Sequence, residues 1–134
     1  MPIRVVAEET IHIGRAAVIE GAAPPGRFAA VFEDDGATGY FYAIDSTQGD
    51  PVRDAVHIYN VANVTDREKP SVVKIGWSAD STKAVLLIND HPHAIFDFQA
   101  QQGWCRTDFP PAPSNAQWST QGHTWSDAAL GLFV

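Results

Sequence analysis

One cysteine, Cys105, stands among 134 residues. A single thiol forms no internal disulfide and builds no cysteine zinc site, which fits a reducing compartment. Basic residues are also scarce. Nine Lys and Arg face sixteen Asp and Glu, giving a formal charge of −7 and a pI near 5.0. Nucleic-acid binding needs a basic face, so no nucleic-acid partner is expected. No stretch approaches the ~20 apolar residues that cross a bilayer. The N-terminal segment is interrupted by Glu8 and Glu9 and does not read as a signal peptide. Lipidation motifs are missing too, since residue 2 is Pro and Cys105 is internal. These absences together lead us to expect a soluble, cytoplasmic protein with no membrane partner. The nucleophile elbow, the phosphate loop and the dinucleotide fingerprint are likewise absent, so no cofactor is expected and an enzymatic role is disfavoured.

What is present is a normal apolar supply, 45% of residues, in a chain of single-domain length. We read residues 1–134 as one domain. The apolar period is mostly two. Strands are predicted over 10–20, 27–33, 40–44, 52–64, 72–77, 83–89, 93–98 and 104–107. Pro24-Pro25-Gly26 breaks the first from the second. Asp34-Asp35-Gly36-Ala37-Thr38-Gly39 turns the second into the aromatic run Tyr40-Phe41-Tyr42. The continuous apolar run Ala84–Ile88 predicts a central strand covered on both faces. Residues 109–118 read as an extended Pro-rich loop, and Ala128–Phe133 as a short helix behind a capping-box-like Thr124–Asp127. The expected fold is mainly β: an antiparallel meander forming a bent sheet or β-sandwich of seven to eight strands, with a short C-terminal helix. Gly76-Trp77-Ser78-Ala79-Asp80 with its following strands looks like one propeller blade. A propeller needs ~4–8 blades, and the motif occurs once.

Several segments together resemble a family of small uncharacterised bacterial proteins. They are Phe32–Ala43, His57-Ile58-Tyr59-Asn60-Val61, Ile75–Asp80, His93–Phe98 and Cys105-Arg106-Thr107, and the likeness covers roughly residues 27–110. The resemblance implies a bacterial origin and a compact domain. It brings no activity, catalytic residue or cofactor.

Four constellations carry candidate chemistry. The acidic corner Glu33-Asp34-Asp35 offers carboxylates to a basic partner or a cation, or is a solvated turn whose Asp side chains cap the local backbone. His91 and His93, with Asp97 following, have the residue types of a metal site. Asp97 lies ~13 Å from His93 along an extended chain, so no metal is expected, and the histidines read as exposed and pH-sensitive. Cys105, next to Arg106, is a reactive thiol or a small buried hydrophobe. Among the aromatics, Trp118 lies in a polar segment and reads as an interface anchor or as docking of the C-terminal loop onto its own sheet. Tyr40 and Tyr42 share one strand face by alternation, as do His57 and Tyr59, so these four are candidates to line a concave surface. The candidate binding residues are thus Asp34, Asp35, Tyr40, Tyr42, His57, Tyr59, His91, His93 and Trp118, with no catalytic or metal residue.

The leading functional expectation is a non-catalytic interaction module for a basic protein partner, one version being an immunity-type protein that neutralises a toxin by covering it. The alternatives are a small-molecule-binding protein, or an undescribed enzyme, using a concave sheet face, and a homo-oligomeric structural protein.

Overall fold

The computed structural model describes residues 3–24, 26–112 and 116–133. Pro25 of the expected breaker, and Ser114 of the expected loop with its neighbours Pro113 and Asn115, lie outside the described residues. Among the described residues nine strands form two antiparallel sheets. They are β1 (Arg4–Ile11), β2 (Ala17–Ala22), β3 (Phe28–Asp34), β4 (Thr38–Asp45), β5 (Val52–Asn60), β6 (Ser71–Trp77), β7 (Lys83–Ile88), β8 (His91–Asp97) and β9 (Gln102–Cys105). One sheet has the order β1-β6-β7-β8-β9, the other β2-β3-β4-β5. Short 3-10 helices occupy Val61–Asn63 and Asp127–Phe133.

The mainly β reading holds, with one strand more than expected. The extra strand is β1, of which the sequence reading includes only Thr10 and Ile11, as the head of one continuous strand over 10–20. Gly14, at φ +97°, turns the chain there, and the Arg15 N–H closes a bond to the His12 carbonyl. The segment therefore splits into the end of β1, a turn and the start of β2, and these two strands go to different sheets. The β7–β8 turn is Asn89-Asp90, both at positive φ, a conformation that Asn and Asp tolerate. It places His91 inside β8 rather than in the turn. The C-terminal helix is 3-10 and lacks the expected capping box, because the Asp127 carboxylate accepts the Trp125 indole N–H instead.

The core lies between the sheets. Phe41 of one sheet stacks on Phe96 of the other at 5.1 Å, both fully buried. The Trp77 indole donates across the layer to the Gly21 carbonyl. Burying such rings stabilises the sandwich by ~1.5–3 kcal/mol each relative to exposure. A second cluster lies outside the five-stranded sheet. Val85 and Ile95 pack there with Ala129 and Phe133 of the C-terminal helix, flanked by Trp104 and Trp125. That cover explains why β7 is apolar on both faces.

A strap after β9 runs along the free edge of β5. The Thr107 hydroxyl donates to the His57 carbonyl, and the His57 N–H donates to the Phe109 carbonyl. The strap thereby satisfies backbone groups that an edge strand leaves open.

Candidate functional site

The outer face of the four-stranded sheet is built by register. Val18, Glu33, Tyr40 and His57 form one cross-strand row. Glu20, Val31, Tyr42 and Ala55 form the next, and Ala22, Ala29, Ile44 and Val52 the third. The inward partners of β3 and β4, Ala30, Phe32, Phe41 and Ala43, are fully buried, so alternation turns this set outward. Most of the twelve side chains are apolar or aromatic. Val18 is 63% exposed and Val52 45%. The charges in the three rows are the carboxylates of Glu20 and Glu33, and no Lys or Arg belongs to them. No element among the described residues covers this face as the C-terminal helix covers the other sheet.

Tyr40 and Tyr42 stack at 6.1 Å on this surface. The Tyr42 hydroxyl donates to Glu33 at 3.3 Å. Partial burial, then the Glu33 charge, pushes the Tyr42 phenol up, keeping it protonated as a donor. Tyr40 also meets the His57 ring edge-on at 5.5 Å, and His57 meets Phe109 at 6.0 Å. Tyr40, His57 and Phe109, with Thr38, Asn60 and Thr107, bound a cleft of about 370 Å³ at one corner of the face. The sequence could not place Phe109 and Thr107 there, because they arrive from the strap.

The expected pairing of His57 with Tyr59 does not hold. Gly39 pairs with Tyr59 but Tyr40 pairs with His57, so Ile58 is an extra residue at a bulge. A bulge re-aims the following side chain. Tyr59 therefore turns inward, packs on Phe32 at 6.1 Å, and donates its hydroxyl to Asp34 at 2.7 Å. Burial, then the hydrogen bond to Asp34, pushes its phenol far up.

Asp34 is likewise not the surface carboxylate of the acidic corner. It is 1% exposed and also accepts the Gly14 and Gly36 N–H groups, both at 2.8 Å. Its work is to tie the β1–β2 turn to the β3–β4 turn. Asp35 fits the turn-capping reading. It is exposed and accepts the Thr38 and Ala37 N–H groups, which hold its carboxyl below the usual range.

Trp118 is not an exposed anchor. It is 6% exposed and meets Phe98 edge-on at 5.2 Å and Phe96 at 6.3 Å. The alternative of the C-terminal loop docking on its own sheet is the one the structure adopts. His91 and His93 adjoin at 5.2 Å, but Asp97 spends a carboxylate oxygen on the Gln99 and Ala100 N–H groups. Among the described residues no group of His, Cys, Asp and Glu is placed to hold a metal ion. Burial, then the nearby His91 and Arg106 charges, lowers the His93 pKa to about 4, so His93 does not titrate near neutrality. Cys105 is fully buried, its thiol donates to the Phe109 carbonyl at 3.3 Å, and burial pushes its pKa up. That is the setting of an inert structural thiol. None of the described helices is long and apolar enough to cross a membrane.

The sequence model of a family described as uncharacterised proteins conserved in bacteria (DUF2251) matches residues 11–134. An uncharacterised protein of Haemophilus influenzae is similar: 39% identical over 108 residues, spanning 80% of this chain and 67% of the relative. No solved structure matches. The chain belongs to that uncharacterised bacterial family, as the resemblance in its sequence implied.

Proposed function

We propose that this member of the family is a non-catalytic protein-interaction module, and that it binds a basic partner through the outer face of β2–β5. The observation that carries the reading is an asymmetry between the sheets. The C-terminal helix packs on the outer face of the five-stranded sheet, while the four-stranded sheet carries three rows of largely apolar and aromatic side chains with no such cover among the described residues. Contiguous exposed apolar surface marks interaction sites in soluble proteins. Tyrosines are favoured anchors there, because each offers a large ring and a polar tip.

The partner's charge follows from complementarity. Carboxylates are the charged groups of the three rows, and the whole chain carries −7. Charge of one sign speeds encounter with the opposite sign and disfavours wrong partners. The test compares a lysine placed in the face with a lysine placed outside it. Val31→Lys in the uncovered face should abolish partner binding, whereas Glu9→Lys on β1 should leave it within about twofold. Equal effects of the two would reject the face.

The cleft of about 370 Å³ beside Tyr40 supports a second reading, a small-molecule site. Its volume falls within the range of small-ligand pockets. A metabolite that raises the melting temperature in proportion to its concentration would favour it.

A further inference from the structure

We propose that the cleft at the corner of this face receives a cationic side chain of the partner, an arginine guanidinium, held by the aromatic rings of the cleft and attracted by the carboxylates of the adjoining β3–β4 hairpin. The inference rests on the interaction-module reading and names the group that the face recognises.

Three observations lead there. First, the cleft is aromatic: Tyr40 and Phe109 flank His57, each meeting it edge-on, and Phe109 is 49% exposed. Ring faces attract cations, and a planar, weakly hydrated guanidinium stacks on them better than a compact ammonium.

Second, negative charge lies beside the cleft without lining it, and the Glu33 carboxylate there accepts the Tyr42 hydroxyl. Glu33 is the register partner of Tyr40, which puts their Cβ atoms ~4.5–5.5 Å apart. The Asp35 carboxylate accepts the N–H of Thr38, a cleft residue, at 2.8 Å. That hydrogen bond favours the ionised form. No Lys or Arg lines the cleft among the described residues.

Third, the polar floor is already arranged. His57 Nδ1 lies 3.1 Å from the Thr107 hydroxyl, and Nε2 lies 3.0 Å from Asn60 Oδ1. Both ring nitrogens are thus engaged, and the ring stands edge-on to its aromatic neighbours. The remaining lone pairs of Asn60 Oδ1 and of the two carboxylates are hydrogen-bond acceptors. Guanidinium is the side-chain group made only of donors in a planar fork.

The probes are three peptides that differ in one residue: Gly-Arg-Gly, Gly-Lys-Gly and Gly-citrulline-Gly, each with blocked ends. Citrulline keeps the shape of arginine and removes its charge. Binding is read from NMR shifts of the full chain. The arginine peptide should give saturable shifts at Tyr40, His57 and Phe109, with an affinity at least tenfold above citrulline and severalfold above lysine. Tyr40→Leu should weaken it about fivefold or more, Tyr40→Phe should keep it, and Glu33→Gln should weaken it and flatten its salt dependence. The backbone spectrum of each variant reports whether the fold is intact. Equal shifts with citrulline, or shifts that leave these three residues unmoved, would overturn the inference. If the peptides fail but Val31→Lys still abolishes capture of a basic protein partner, the face stands and the cleft assignment alone falls. If the arginine peptide binds the cleft while Val31→Lys changes nothing, the wider face falls.

Discussion

His123 Nε2 lies 2.9 Å from one Asp54 oxygen and 3.0 Å from the other, while Nδ1 of the same ring lies 2.6 Å from the Pro110 carbonyl. Both ring nitrogens therefore face acceptors. A neutral imidazole carries one N–H, so this geometry is that of an imidazolium. Asp54 also accepts the Ser119 hydroxyl at 2.6 Å, and the Ser119 oxygen accepts the Gly103 N–H. Serine and histidine both donate to one carboxylate, and among the described residues no hydrogen bond joins them. The cluster is a latch that ties β5, β9 and the C-terminal segment together, closing the seam between the sheets.

The latch makes stability fall on the alkaline side. Burial alone would lower the His123 pKa, but the hydrogen bonds to Asp54 and the Pro110 carbonyl, with the Asp54 charge, raise it above the ordinary value of 6.5. A raised folded-state pKa gives stability that is fully present below about 6.5 and is lost as pH rises through the folded value. Melting temperature should accordingly decline over that alkaline window. Asp54→Asn should remove this slope and cost ~3–5 kcal/mol, because it strips the partner from a buried charge. Denaturant unfolding across pH checks both, and a wild-type curve without the alkaline decline would contradict the imidazolium assignment.

Trp118 separates docking of the C-terminal loop from partner recognition. Trp118→Ala should cost ~3–5 kcal/mol by emptying the space against Phe96 and Phe98. Per folded molecule, partner affinity should stay unchanged. A loss of affinity with wild-type stability would reverse that assignment.

The bulge in β5 has its own test. Tyr59→Phe should cost ~1.5–3 kcal/mol, since buried Asp34 loses a charge-assisted donor. Gly39→Ala should be more damaging, because a Cβ there would lie 2.7 Å from the Tyr59 ring. Chemical denaturation of the two variants gives the comparison.

The sheet frame was legible because its signals are local. Alternation marked β3 and β4, the Asp-Gly turn joined them, and the apolar run at Ala84–Ile88 marked a strand covered on both faces. The errors came from contacts distant in sequence. Nothing near Gly14 announces that Asp34 will hold its N–H, so the last two residues of β1 merged with β2 into one strand and residues 4–9 went unread as strand. One extra residue, Ile58, reversed the face of Tyr59, and alternation has no means of registering a bulge. Trp118 sits among polar neighbours and is buried by a sheet some twenty residues earlier in the chain. Of the site, Tyr40, Tyr42 and His57 were visible by parity, whereas Phe109 and Thr107 depended on the strap. Glu20 and Val31 became site residues only when register aligned four strands.

The most direct measurement for the central claim is affinity capture from host lysate at low and high salt. Wild-type bait is compared with a bait carrying Glu20→Lys and Glu33→Lys, and the retained proteins are identified by mass spectrometry. The account predicts a stoichiometric basic protein on the wild-type bait at low salt, released at high salt, and reduced at least tenfold on the charge-reversed bait. A partner retained equally by both baits, or one indifferent to salt, would contradict binding through the acidic aromatic face of β2–β5.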